Sequence, residues 1–283
     1  AFSFSSTIVE RIWEDEFMGE RVGFIGLGDI GTPMAGRILE GGYRVASCAH
    51  RRREAIEMLE ASGLVEAPNP YEVARQSDIL ITMVVDEAQT DAVLRGKEGG
   101  LAGLVPGSTV VVMSTVSPDY CKALAVEAAD AGIDVLDCPV SGGRPRAAEG
   151  SLALICGGEP VTVERCRPVL EKMGTIFHCG PVGMGQVAKL ANQGLTAAQF
   201  RLVQEVRAMA AAYGMDLDTL MDVIRSSTGA SFIAENWSFL EPNWRHLGRM
   251  AKKDIDLCLA AGRDREVAMP LVEAASHLTG PSN

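Results

Sequence analysis

The strongest constraint on the fold is an alternation that runs from Arg21 to about Gly180 and then stops. Short, β-rich apolar runs at 22–26, 43–49, 78–85, 108–114, 133–140, 151–156 and 175–179 are separated by helix-like stretches. Such alternation predicts a parallel sheet flanked by helices. The punctuation agrees: Ser117 stands as an N-cap, Pro118 takes the first helical position and Gly132 closes the far end. After Gly185 the strand signal disappears. Residues 185–213 read as one continuous helix with Gly214 as its stop, and Asp216, Ser231 and Pro242 mark the starts of shorter helices as far as His277.

A glycine pattern sits where the first strand meets the first helix. GFIGLGDIG puts Gly26, Gly28 and Gly31 in GxGxxG spacing, with Leu27, Asp29 and Ile30 between them. The first glycine permits a tight turn, the second lets a pyrophosphate approach the backbone, and the third lets helix and strand pack closely. Alone, the motif is often a chance glycine-rich turn. Opening a βαβ unit, it predicts dinucleotide binding and a doubly wound, mostly parallel α/β Rossmann domain. The expected organisation is an N-terminal extension over 1–20, a dinucleotide-binding domain over 21–183 and an all-helical substrate and oligomerisation domain over 184–283, entered through the long inter-domain helix.

The end of the second strand bears on which dinucleotide binds. An NAD site usually offers a carboxylate to the ribose there, but this chain runs Ala49, His50, Arg51, Arg52, Arg53, with no acid before Glu54. His50, Arg51 and Arg52 suit a 2′-phosphate, so NADP is expected, with NAD as the alternative. At least one of the arginines is expected to be no more than a solvated residue at a helix start.

The segment GPVGMGQVAKLANQG places Lys189, Asn192 and Gln193 at i, i+3 and i+4, on one face of the long helix among small or apolar neighbours. A lysine stripped of water can exchange protons near neutrality, and two amides can hold an oxygen beside it. By itself this pattern favours the plainer reading, since a lysine on a helix is usually a solvated surface residue and Asn-Gln pairs are common. Ser141-Gly142-Gly143 follows an apolar strand, at the sheet edge where open α/β folds bind ligands, although Ser-Gly-Gly is also an ordinary turn.

Three motifs, GFIGLGDIGTPMA, DCPVSGG and GMGQVAKLANQ, occur in the order and spacing of the β-hydroxyacid dehydrogenases. The chain resembles that family, which includes 3-hydroxyisobutyrate dehydrogenase and the tartronate-semialdehyde and glyoxylate reductases, within the 6-phosphogluconate dehydrogenase superfamily. The match covers Arg21 to about Ala261. The resemblance implies an NAD(P)-dependent 3-hydroxyacid dehydrogenase or reductase, with substrate bound between the domains. It assigns Lys189 as general acid/base with Asn192 and Gln193 beside it. Ser141, Gly142 and Gly143 would hold the substrate carboxylate, and Met83, Ser114 and Lys253 would touch the cofactor. In two places the chain departs from the pattern. Arg146 replaces a glycine in SGGRPRAAEG, which resembles sugar-acid members of the family, and the chain stops at Asn283, soon after its PLV segment. The runner-up readings are an imine reductase on the same fold, against which Lys189 counts, and a catalytically silent dinucleotide sensor.

Composition narrows the partners. A net charge of −11 over 283 residues argues against a nucleic-acid surface, and no apolar run is long enough to span a membrane. The seven cysteines are scattered without CxxC spacing, which suits reduced thiols of a cytoplasmic protein, and no metal site is expected. The expected partner is a small hydroxy acid or semialdehyde, and the expected assembly a homodimer or homotetramer.

Overall fold

The computed structural model describes residues 19–50 and 53–276. The expected extension up to residue 18, and with it Arg51 and Arg52, lies outside the described residues. The chain divides into two compact units, residues 1–189 and 190–283.

The first unit is built on a six-stranded parallel sheet in the order β3-β2-β1-β4-β5-β6. Its strands are β1 (Val22–Ile25), β2 (Val45–Ser47), β3 (Val65–Glu66), β4 (Ile79–Thr82), β5 (Thr109–Val112) and β6 (Asp134–Asp137). The helices are α1 (Gly31–Glu40), α2 (Glu54–Glu60), α3 (Pro70–Ala74), α4 (Glu87–Arg95) and α5 (Pro118–Ala129). β1 and β4 are buried at every position, as strands covered on both faces must be. Asn69, Asp86 and Ser117 cap α3, α4 and α5 by accepting backbone N–H bonds. Two apolar clusters fill the two sides, one around Phe24, Met34, Ile38 and Ile81, the other around Leu80, Leu94, Val110 and Leu124.

A smaller three-stranded sheet completes the unit, with β7 (Val140–Ser141) antiparallel to β8 (Leu152–Cys156), and β8 parallel to β9 (Gly174–His178). Between its strands lie α6 (Gly143–Glu149) and α7 (Pro160–Leu170). Two strand expectations need correcting. The run expected at 133–140 divides into β6 and β7, because Pro139 has no N–H to continue a ladder. β3 was not foreseen, since two residues that are exposed and half-buried give no periodic signal.

The helix α8 (Met184–Ala212) carries the chain through the division after Lys189. The second unit continues with α9 (Leu217–Arg225), α10 (Phe232–Glu235), α11 (Trp237–Arg263) and α12 (Pro270–Ser276), and contains no strand among the described residues. Asp216 and Ser231 cap α9 and α10 as expected. Pro242 does not start a helix: it lies inside α11, which begins at Trp237. Pro242 is past the first turn, so it removes the i→i−4 bond to Ser238 and crowds that carbonyl, and the helix runs on through it at that cost. Phe200 stacks on Trp237, ring centroids 4.9 Å apart, at the centre of this unit's main cluster.

Candidate active site

Strand order reverses between β1 and β4, and the crevice beyond the carboxyl ends of such a pair is where open α/β sheets take ligands. The β1–α1 turn fills that position. Gly26 has φ +107, and a Cβ there would lie 2.2 Å from the Met83 carbonyl oxygen; one on Gly31 would lie 2.0 Å from the Gly26 carbonyl oxygen. A Cβ on Gly28 would meet nothing within 4 Å. Two glycines therefore let main chain pass main chain, and the third leaves an open face over exposed Gly28 and Asp29. Ile30, at the N-cap of α1, makes no side-chain cap bond, and the first turn holds no acid. Free N–H groups at such an end suit a phosphate, so the turn fits a dinucleotide's pyrophosphate.

Met83 and Ser114 follow β4 and β5 at the same edge. The Met83 N–H donates to the Ile25 carbonyl at 2.8 Å, and the Ser114 Oγ accepts from the Val84 N–H at 2.9 Å. His50 is exposed beyond β2. Arg53 is bound at both ends of its guanidinium fork to Glu66 of β3, at 2.6 and 2.7 Å. Arg53 is thus already committed elsewhere, and it neutralises the acid at the neighbouring strand end.

Ser141 closes β7, and Gly142 (φ +136) and Gly143 (φ +67) turn the chain into α6. The Arg146 stem lies against this turn: a Cβ on Gly142 would sit 2.7 Å from Arg146 Cδ.

Lys189 lies in the second turn of α8 and is only 7% exposed, which separates it from an ordinary solvated helix lysine. Sequence reasoning missed what holds that part of the helix. The carboxylate of Asp137, at the end of β6, accepts from the Gly183 and Gln186 N–H groups at 2.6 and 2.7 Å, and Gln186 reaches the segment after β5. Burial pushes the Asp137 carboxyl up to about 6 against the pull of these donors. An acid at the end of an apolar strand was the available signal.

In the second unit, Gln193 Nε2 donates to Asp254 Oδ2 at 2.8 Å, and Lys253 Nζ lies 3.1 Å from Asp254 Oδ1. The buried Asp254, also missed, joins two of the expected site residues. Asn192 is exposed and donates weakly to Gln193, at 3.4 Å. Among the described residues there is no cluster of metal-ligating side chains, and no helix is long and apolar enough to cross a membrane.

Fold and turn together define a protein with a dinucleotide-binding α/β sheet. Residues 21–183 match the NAD-binding domain of 6-phosphogluconate dehydrogenase, and 183–280 match the NAD-binding domain of NADP-dependent 3-hydroxyisobutyrate dehydrogenase. The chain is 34% identical to the NAD-dependent L-serine dehydrogenase of Pseudomonas aeruginosa, over 76% of this chain and 72% of that one. It is 32% identical to the L-threonate dehydrogenase of Cupriavidus necator, over 92% and 90%. Among solved structures, the 3-hydroxyisobutyrate dehydrogenase of Mycobacterium tuberculosis with L-serine superposes with a TM-score of 0.83 at 29% identity, covering 93% of each chain. The chain belongs to the β-hydroxyacid dehydrogenase family, whose members are NAD(P)-linked oxidoreductases of CH–OH groups.

Proposed function

We propose that this protein is an NADP-dependent oxidoreductase that interconverts a small, polar β-hydroxy acid and its semialdehyde, with Lys189 as general acid/base. The observation that carries this reading is the burial of Lys189 one helical turn beyond the Asp137 and Gln186 contacts. When bound, the dinucleotide accepts or supplies the hydride. In oxidation the Lys189 amine takes the hydroxyl proton; in reduction its ammonium returns that proton to the carbonyl oxygen. Asn192 and Gln193 orient the reacting oxygen. Ser141 and the N–H groups of Gly142 and Gly143 hold the carboxylate, and Arg146 reads a further polar or anionic group on the acid. The names of the serine and threonate dehydrogenases support a substrate of that kind.

His50, Arg51 and Arg52 support a 2′-phosphate, as does the engagement of Glu66 by Arg53. NADP(H) is expected to bind more tightly than NAD(H) by about 1.5–3 kcal/mol, the scale of one hydrogen bond to a charged group. The proposed location is the cytoplasm and the proposed assembly a homo-oligomer; Leu195, Leu202 and Met209, exposed at seven-residue steps along α8, support association.

The test is a panel of small 3-hydroxy acids and sugar acids with NADP and NAD, and their semialdehydes with the reduced forms, alongside titration calorimetry of both cofactors. Turnover of a polar hydroxy acid with NADP, and a rise in its KM in Arg146→Gly, is the expected result. No turnover across the panel, or NAD(H) binding as tight as NADP(H), contradicts the reading.

A further inference from the structure

The start of α8 is fastened to the sheet by two side chains that take no part in the chemistry proposed above. Asp137 is fully buried, with Oδ1 accepting from the Gly183 N–H and Oδ2 from the Gln186 N–H. These are donors that a helix start cannot satisfy internally, and a carboxylate there also complements the helix dipole. Gln186, equally buried, spans from α8 to the segment after β5. Its Nε2 donates to the Ser114 carbonyl at 2.9 Å, and its Oε1 accepts from the Val116 N–H at 3.2 Å.

The cavity for the carboxylate is itself built from the chain. A Cβ on Gly157 would fall 2.5 Å from Asp137 Oδ1, and one on Gly185 would fall 2.8 Å from Oδ2, so both positions must be glycine for the acid to fit. Burying a carboxylate costs free energy that an apolar contact would not, whereas a fully bonded polar network fixes one geometry. Gln186 stands one helical turn before Lys189, so the rotation that its contacts impose is handed directly to the lysine. Its other end holds Ser114, whose hydroxyl in turn accepts from Val84.

We propose that Asp137 and Gln186 are positioning residues that set the rotation and height of the first turns of α8, and so hold the Lys189 amine at the reacting oxygen. The inference rests on the acid/base role of Lys189. Misplacement of a catalytic group by about 1 Å can cost on the order of a hundredfold in rate.

The experiment uses the full chain and the best substrate of the panel, with Asp137→Asn and Gln186→Met made singly and each combined with Lys189→Ala. Each single variant is expected to lower kcat about 10- to 100-fold and to weaken NADP(H) binding by a much smaller factor, because the Gly26–Gly31 turn is untouched and Gln186 meets Ser114 only at its main-chain carbonyl. On the Lys189→Ala background the same substitutions should leave the residual rate unchanged, since they act through the lysine. Should Asp137→Asn not fold, Gln186→Met, which strands no charge, decides alone. A kcat for Gln186→Met within twofold of wild type, or an equal loss with and without Lys189, overturns the positioning role. Wild-type turnover by Lys189→Ala overturns the acid/base assignment and this inference together.

Discussion

Glycines of the dinucleotide turn and of the helical unit meet different neighbours. In the sheet unit a Cβ on Gly31 or Gly26 would strike a carbonyl oxygen, at 2.0 and 2.2 Å. In the helical unit a Cβ on Gly194 would meet Cys258 Sγ at 2.9 Å, and one on Gly262 would meet Met269 Sδ at 2.6 Å. A carbonyl beside a β-ladder cannot move without breaking hydrogen bonds, whereas a thiol or thioether can rotate. Geometry at the dinucleotide turn is therefore written in the main chain, and in the helical unit it is carried by side chains such as Gln193, Asp254 and Lys253. The cores follow the same division. Of the largest fully buried side chains among the described residues, only Phe200 falls after Lys189.

The largest effect expected from this difference is at the dinucleotide turn. Gly31→Ala must displace backbone, so it should lower the melting temperature and weaken NADP(H) binding by about a hundredfold or more, the upper end of overpacking costs. Gly28→Ala has open space around it and should weaken binding comparably with no change in melting. Thermal melts with and without NADP(H), beside calorimetry, separate the two; equal melts for both variants would break the comparison.

A second expected effect comes from Asp137. Its folded carboxyl, at about 6, lies above the ordinary value of 3.8, so the folded state holds this proton more tightly than the unfolded chain does. Its contribution is complete below about pH 4 and is lost as pH rises through about 6, a change of up to about 3 kcal/mol. In urea titrations from pH 4 to 7, wild type should lose stability relative to Asp137→Asn. A constant difference across that range would contradict the burial argument.

The smallest effect belongs to the helical unit. Gly194→Ala pushes on a thiol and on Val272, but gains about 1 kcal/mol of helix propensity, so its net change should stay within about 1 kcal/mol. A loss as large as that of Gly31→Ala would show the second unit to be as rigid as the first.

The same contrast explains what could be read from sequence. The glycine turn, the long strands and the cap Ser117 are set by local rules, and the expected strands and the long helix follow from them. The β3 strand is too short to have a period. Pro242 obeys the rule for a helix start yet lies within α11, which begins five residues earlier at Trp237. Arg53 was one of several equivalent arginines until its bidentate pair with Glu66 was visible. Asp137 and its glycines at 157 and 185 are far apart in the chain, and nothing local links an acid in a strand to a helix start beyond residue 183. Lys189 was the reverse case: its local setting favoured a surface lysine, family resemblance marked it, and the structure shows it buried.

The central claim is that Lys189 moves the proton. Its most direct test is kcat for Lys189→Ala and Lys189→Arg under conditions where chemistry limits the rate, with melts and NADP(H) titration as controls. Loss of a positioned acid/base costs about 10²–10⁴-fold, and a guanidinium that stays protonated cannot replace it as a base. Both variants should fall by that factor while folding and binding cofactor normally. If either keeps more than about a tenth of the wild-type kcat, Lys189 is not the acid/base.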